Sequence, residues 1–380
     1  MRFCAICNEG FEDLVADEMK RRSDSISVTK EGRSYVMFEC DPEEAIRFAY
    51  VTQSAKKILR LLSLYSVKEK TEIVQNAEDI DFSSIDGSFC VRCSEKSHEK
   101  ALGSVVHSKL ENPVVDMSAP ENLIYFHKSS SASDATSDVV VGVDMTAQDL
   151  SKRGYKIFSH PSSIKGTLAY FMVALSGYSG EGVFLDPCSG SGTICAEAAY
   201  LVTGISIRFF EKDSFGRPMS LGKGWSGRGW KEVLEEYDRS VMTDKSSSGK
   251  SAGPSIFSYD VDLQAVNSAK KNLKIGGIDS YVSVARGDID WLETKFEESS
   301  VDFVVSNPPH YSKHNMKKND KFFDKFFYQV EYVLSEKGKV VILTNSERPI
   351  EISARYGFTG VIERRFQLGS SEHLIISFTK

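Results

Sequence analysis

The 380-residue chain has no uninterrupted apolar run near the ~20 residues of a membrane-spanning helix, which argues against such a span. Its beginning, MRFCAICNEGFEDL, is acidic by Glu9 and shows no signal-peptide pattern, so the cytoplasm is the expected location. Cysteine is sparse. Its seven copies are odd in number and scattered, which speaks against a disulfide framework. Cys4/Cys7 and Cys90/Cys93 have metal-site spacing, but each pair falls in an apolar stretch that reads as a strand. Positions i and i+3 of a strand point to opposite faces, so core cysteines are expected and no metal site. His98 and His107 read as surface or helix residues. A basic excess is also missing. The net charge is −6; residues 1–160 carry 20 basic and 26 acidic side chains, and residues 161–380 carry 27 of each. A nucleic-acid surface, if the chain has one, must be a local patch.

What is present is ordinary for a globular protein, with 41% hydrophobic and 26% charged residues. The length points to two or three domains. The most informative stretch is Val183–Ala199, VFLDPCSGSGTICAEAA. Val183, Phe184 and Leu185 form a buried strand that Pro187 ends. Gly190 and Gly192 permit a tight turn, and a helix follows from Thr193. Such a corner binds anions. A phosphate-binding loop would place Lys after its last glycine, where Thr193 stands. A dinucleotide fingerprint would place a third glycine where Cys195 stands. Asp186 would repel a pyrophosphate but suits a ligand bearing an amine. S-adenosylmethionine has that amine, a carboxylate for the helix start and two ribose hydroxyls. Asp186, Ser189, Gly190, Ser191, Gly192 and Thr193 are therefore candidate cofactor residues; an ordinary strand-turn-helix is the plain alternative.

Further strand ends follow in order. Tyr259-Asp260-Val261-Asp262 ends a second strand. Asp260, with Val261, is the candidate for the ribose hydroxyls, and Asp262 suits a helix cap. Gly287-Asp288-Ile289 ends a third, where Asp288 and Ile289 would meet the adenine. Ser306-Asn307-Pro308-Pro309-His310-Tyr311 ends a fourth. Two prolines fix the backbone and remove two donors. The Asn307 side-chain oxygen and the Pro308 carbonyl could then accept the two N–H donors of a base's exocyclic amine, with His310 or Tyr311 stacking on a base flipped from its helix. Placement and hydrogen bonding would supply most of the rate, without a metal. Asn307, Pro308, His310 and Tyr311 are the candidate catalytic set, Asn307 also touching the cofactor.

Around these sites, residues 1–60 read as strand, helix, strand, helix, and 61–150 as another α+β unit containing the loop Lys128–Asp138. Residues 151–165, SKRGYKIFSHPSSIK, read as an ordered linker. From 166 to 380 the alternation of strands and helices implies an α/β fold with a mostly parallel, doubly wound sheet. The acid that meets ribose lies roughly 20 residues past the first strand in the standard pattern. Asp260 lies 74 residues past Asp186. The excess is an insert at about 207–253. Its first half, with Arg208, Trp225, Arg228 and Trp230, reads either as a base-stacking, phosphate-pairing surface or as a helical cap. Its second half, Lys245–Gly253, reads as a flexible loop.

Taken together, the chain resembles the THUMP-domain RNA methyltransferases, especially those acting on guanine N2 in tRNA. The resemblance rests on Asp186–Thr193 with Glu197-Ala198-Ala199, on Asn307-Pro-Pro309, on Leu150-Ser-Lys-Arg-Gly-Tyr155 with His160-Pro161, and more weakly on Val115–Glu121. It implies a ferredoxin-like module (1–60), a THUMP domain gripping the tRNA 3′ end (61–150) and a Rossmann-like catalytic domain (166–380). It also implies methyl transfer to guanine N2, with the acceptor stem as target region; a monomer is expected. Lys152, Arg153, Tyr155, Arg208 and Arg228 are the candidate RNA contacts. His310 stands where such proteins have Tyr or Phe. The competing readings are an rRNA guanine-N2 or adenine-N6 methyltransferase, and an inactive RNA-binding protein of the same fold.

Overall fold

The computed structural model describes residues 1–129, 136–146, 148–161, 163–212, 215, 229–247 and 255–380. Arg228, Trp225 and most of the loops expected over 128–138 and 245–253 lie outside the described residues. The elements run β1 (Arg2–Ile6), α1 (Glu12–Arg22), β2 (Ser27–Gly32), β3 (Tyr35–Glu39), α2 (Pro42–Val51), β4 (Lys57–Val67), α3 (Glu72–Ala77), β5 (Ser88–Cys93), α4 (Glu99–Lys109), β6 (Val114–Val115), β7 (Asn122–Lys128) and β8 (Ser137–Asp144). They continue with α5 (Gly166–Ser176), β9 (Phe184–Asp186), α6 (Thr193–Thr203), α7 (Trp230–Ser247), β10 (Ile256–Asp260), α8 (Leu263–Ile275), β11 (Val282–Arg286), β12 (Val301–Ser306), α9 (Met316–Val333), β13 (Leu334–Thr344), α10 (Arg348–Ser353), β14 (Thr359–Leu368) and β15 (Ser371–Thr379).

The chain divides into two units, Met1–Ser151 with Arg208–Met242, and Lys152–Ile207 with Thr243–Lys380. The first is built on one eight-stranded sheet in the order β2-β3-β1-β4-β8-β7-β5-β6. The boundary expected at residue 60 falls inside β4, which pairs with β1 on one side and β8 on the other. Gly142 of β8 permits that pairing: a Cβ there would lie 2.6 Å from the Arg60 carbonyl. One core cluster gathers Cys4, Ile6, Tyr35, Met37, Leu59 and Val140, and another gathers Phe89, Val91, Ile124, Phe126, Val139, Val141 and Val143. Cys4 and Cys93 belong to these cores, and all four cysteines of the two pairs are buried. Helix α1 follows the charge rule for its dipole, with Glu12 and Asp13 first and Lys20, Arg21 and Arg22 last.

The described residues of the insert from Arg208 to Met242 belong to the first unit. Arg208 donates from Nη1 to the Tyr50 and Thr52 carbonyls (3.0 and 3.3 Å) and from Nη2 to the Leu150 carbonyl (3.3 Å). Phe215 packs on the Tyr50 ring at 5.6 Å, and the Tyr50 hydroxyl reaches Asp238 of α7.

The second unit is the Rossmann-like α/β fold expected from the strand–helix alternation. Its seven strands lie in the order β11-β10-β9-β12-β13-β15-β14. β9 to β13 are parallel, and β15 runs against both of its neighbours. The apolar strands are buried on both faces, as a parallel sheet requires. α5 is apolar around its whole circumference and almost entirely buried. α9 gives Phe323, Phe326, Phe327, Val330 and Val333 to the core on the sheet. The chain winds from β9 outward to β11, then restarts at β12 on the other side of β9. The order reverses between β9 and β12, and open α/β sheets bind ligands beside the carboxyl ends at such a point.

Candidate active site

The carboxyl ends of β9 to β13 border one cleft of about 760 Å³, within the usual size of ligand sites. Pro187 and Cys188 come from β9, Asp260, Val261 and Asp262 from β10, and Gly287, Asp288 and Ile289 from β11. Asn307, Pro308, Pro309 and His310 follow β12, and Leu343 ends β13. The parallel register sets all these strand ends at one edge, so residues far apart in sequence converge.

The glycine turn is pinned from both sides. Gly190 N donates to Asp260 Oδ2 at 2.8 Å, which ties the β9 turn to the β10 carboxylate. Asp260 Oδ1 accepts from Asp262 N at 2.9 Å, and Asp262 caps α8 by accepting from Gln264 N at 2.8 Å. Gly192 has a φ of +78°, and a Cβ there would stand 3.0 Å from that of Ala269. Glycine is needed for the turn and for the approach of α8 to it. Ser191 is tied by its hydroxyl to Ser163, and its carbonyl accepts from Asn272 Nδ2 at 3.1 Å; Thr193 is buried beside it. Asp186 is fully enclosed. Its Oδ1 accepts from Ser306 Oγ (2.6 Å) and Cys188 N (3.1 Å). Burial pushes its carboxyl up to about 7, and those two hydrogen bonds offset the shift only in part.

The fourth motif is equally braced. Asn319 Nδ2 donates to the Pro309 and His310 carbonyls (3.1 and 2.7 Å), and Asn315 Nδ2 to the His310 carbonyl (3.0 Å). Asn345 brackets Tyr311, accepting from its N–H and donating to its carbonyl, both at 2.8 Å. His310 Nε2 lies 2.9 Å from Asn307 Oδ1. Burial, then the neighbouring His373, lowers His310 to about 4, so the ring is neutral near pH 7 and donates from Nε2–H to that oxygen.

The structure settles which aromatic faces the cleft. His310 lines it, whereas the Tyr311 ring stacks on Phe323 at 5.6 Å and 5° and packs against the core. Of the two aromatics expected as alternatives for stacking on a base, Tyr311 has its backbone held by Asn345 and its ring turned inward.

Three of the expected RNA contacts are also corrected. Arg153 is buried, with Nε and Nη2 donating to Glu197 Oε1 and Oε2 at 2.8 and 3.1 Å. The Tyr155 hydroxyl donates to the same carboxylate at 2.8 Å and is buried too. Arg208 is buried among the carbonyls named above. A charge so enclosed cannot reach a phosphate. Lys152 is exposed, and Arg228 lies outside the described residues.

Several cleft residues escaped the sequence reading. The stretch taken as a linker supplies His160, Pro161, Ser163 and Ile164 as one wall, with His160 Nε2 3.4 Å from Asp262 Oδ2. Phe322 enters from α9, and Leu368 and His373 from the β14–β15 hairpin. The His373 and His310 rings lie 5.1 Å apart. The His160-Pro161 pair was already part of the family resemblance; nothing local marks His373. Among the described residues no cluster of three or more His, Cys, Asp or Glu could hold a metal ion, and no helix is long and apolar enough to cross a membrane.

With the glycine turn, the strand-end acids and the Asn-Pro-Pro step converging on one cleft, comparison with known proteins is decisive. A model of the UPF0020 family, described as RMKL-like, methyltransferase domain, matches residues 153–365. The chain belongs to that family. Among curated relatives, a ribosomal RNA large subunit methyltransferase K/L of Pseudomonas putida (strain GB-1) is 22% identical over 80% of this chain. The chain spans only 42% of that relative's length. Among solved structures, a possible methylase from Clostridium difficile 630 superposes with a TM-score of 0.75 at 16% identity, covering 100% of this chain and 97% of that one. SMU.472, a putative methyltransferase complexed with SAH, gives 0.74 at 18% identity over 100% and 97%.

S-adenosylmethionine, expected from the glycine turn, is the cofactor of this RMKL-like domain. The residues present fit it. Asp186 Oδ2 and Ser189 Oγ are buried in the turn without a hydrogen-bond partner. A carboxylate oxygen and a hydroxyl left unmet cost stability unless a ligand or water meets them, and the ligand's ammonium and carboxylate are the matching groups.

Proposed function

We propose that the protein transfers a methyl group from S-adenosylmethionine to the exocyclic N2 amine of a guanine in RNA. The observation that supports this most is the position of Asn307-Pro308-Pro309, rigidly braced in the same cleft as Asp260 and Asp288. The bound cofactor supplies a methyl group already activated on a sulfonium. The protein's part is placement. Asp186 and the Ser189–Thr193 turn hold the methionyl end. Asp260 and Val261 take the ribose, and Asp288 and Ile289 the adenine.

Asn307 Oδ1 and the Pro308 carbonyl accept the two N–H bonds of the target amine. The Pro309 and His310 carbonyls are already taken up by Asn319 and Asn315. His310 donates to Asn307 Oδ1, which orients the amide in the cleft. Its imidazole also offers a flat surface to the flipped base. No general base is required to start the reaction, since the amine's proton is lost after the carbon–nitrogen bond forms.

The relatives' name favours large-subunit ribosomal RNA as substrate. The second reading, tRNA methylated in the acceptor stem, is supported by the THUMP-like pattern at Val115–Glu121. Either substrate suits the cytoplasm. The test uses isotopically labelled cofactor with separated tRNA and large-subunit rRNA from cells lacking the protein, followed by nucleoside analysis. Label in N2-methylguanosine of rRNA supports the first reading, and of tRNA the second. Label in N6-methyladenosine would move the target amine to adenine, and no labelled RNA would sink the proposal.

A further inference from the structure

We infer that the exposed lysines at the start of α9, Lys313, Lys317, Lys318 and Lys321, form a phosphate-binding strip that holds the RNA strand beside the flipped nucleotide. This rests on the RNA reading above and adds where the strand runs.

The strip lies at the cleft. Phe322, in the second turn of α9, lines it, and Lys318 sits one turn earlier on the same face. Asn315 and Asn319, interleaved with the lysines, hold the carbonyls of the Asn-Pro-Pro-His step. A backbone gripped by the strip is therefore registered against the rigid motif that receives the base.

Its charge is not spent inside the fold. All four lysines are exposed. The acids at helical spacing from them are engaged elsewhere: Asp320 is bound by Arg348 Nε and Nη2 at 2.8 and 2.6 Å, and Asp324 pairs with Arg355 at 3.5 Å. Among the described residues none of the four lysines has an ion pair. The first turn of α9 contains no acid, although a helix start favours acids and disfavours lysines. The same partial positive charge that makes Lys317 and Lys318 unfavourable there adds to the attraction for a phosphate. The chain carries a net charge of −6, so binding RNA requires such a local patch, and two of the arginines expected to supply it, Arg153 and Arg208, are buried. Met316 is the one exposed large apolar residue in this run, too little for the apolar centre of a protein interface.

The test compares the wild-type protein with the triple variant Lys313→Ala/Lys317→Ala/Lys318→Ala, its Lys→Arg counterpart, and Lys337→Ala, an exposed lysine at the amino end of β13. Unmodified tRNA and large-subunit rRNA are the probes, and RNA affinity is followed across a salt series. Each lost contact to a single strand should lower the salt slope by about 0.7, so the triple alanine variant should lose about 2 and its RNA KM rise about tenfold. Cofactor affinity by calorimetry should be unchanged, which shows that the variant is folded. The arginine variant should keep the wild-type slope, and so should Lys337→Ala. An unchanged slope in the triple variant would overturn the strip, as would a raised KM without a slope change or an equal effect from Lys337→Ala. In those cases the wild type still labels RNA, and the proposed function stands. A wild type that labels no RNA removes both.

Discussion

Two basic segments of this chain look alike in composition and differ in fate. Lys152–Lys156, with Arg208, mixes cations and aromatics, as does Lys313–Phe322. In the first, Arg153 and Tyr155 converge on the Glu197 carboxylate, and Arg208 on three main-chain carbonyls. In the second, the nearby acids already belong to Arg348 and Arg355, and the lysines stay in solvent. Arginine's planar fork suits it to a buried bidentate pair, while lysine's hydrated head keeps to the surface. A basic-aromatic run thus says little by itself about nucleic acid. What decides is whether the fold brings a carboxylate to it.

The largest expected effect tests the buried half of that comparison. Glu197→Ala removes the carboxylate shared by the Arg153 guanidinium and the Tyr155 hydroxyl, and should cost about 3–5 kcal/mol in urea unfolding. A loss below about 1 kcal/mol would show Arg153 to be held loosely and return it to the candidates for RNA.

Next comes the cleft. Asn307→Ala should lower the rate at saturating substrates by about a hundredfold, or ~3 kcal/mol, the effect of removing one preorganised polar group. Turnover within about threefold of wild type would remove Asn307 from the reacting centre.

Asp186 gives a pH effect of known sign. The unfolded chain releases this proton near the ordinary 3.8, whereas the folded protein keeps it to about 7. The folded state holds more protons over that range, so this group's contribution favours folding least at the upper end, and stability falls as pH rises from 3.8 to 7. Asp186→Asn should flatten that fall in a melting series. An unchanged slope would mean that a partner holds the carboxylate ionised. His310 runs the other way. Its folded pKa of about 4 lies below the ordinary 6.5, so kcat/KM should show no His310 limb between pH 5.5 and 8, within about twofold. A limb near 6.5 would show that the ring is solvated.

The smallest effect tests the exposed half. Lys317→Glu should raise stability by about 0.3–1 kcal/mol, because an acid suits the start of α9, while weakening RNA binding. A variant that loses stability instead would mean that Lys317 serves the helix.

The glycine turn, the three acid-bearing strand ends and the Asn-Pro-Pro step were legible because each is a local break at the end of an apolar strand. Their convergence followed from strand order alone, since parallel strands bring their carboxyl ends to one edge. The continuous first sheet was not legible. β4 carries no strict alternation to mark it, and its pairing with β8 joins residues some 80 positions apart. The insert after Ile207 reads equally as a base-stacking surface or a cap because nothing local shows that Arg208 seeks the Tyr50, Thr52 and Leu150 carbonyls. Tyr311 and His310 are neighbours, and only packing on Phe323 told which one turns inward.

The amino-acid order by itself determined the second unit's fold type and the cofactor corner. Glycine's freedom, proline's fixed angle and the burial of apolar strands act over a few residues. The tertiary structure alone decided which charges are spent inside the protein and which remain for a partner. Ion pairs such as Arg153 with Glu197 join positions that the chain keeps far apart and the fold brings within hydrogen-bond reach.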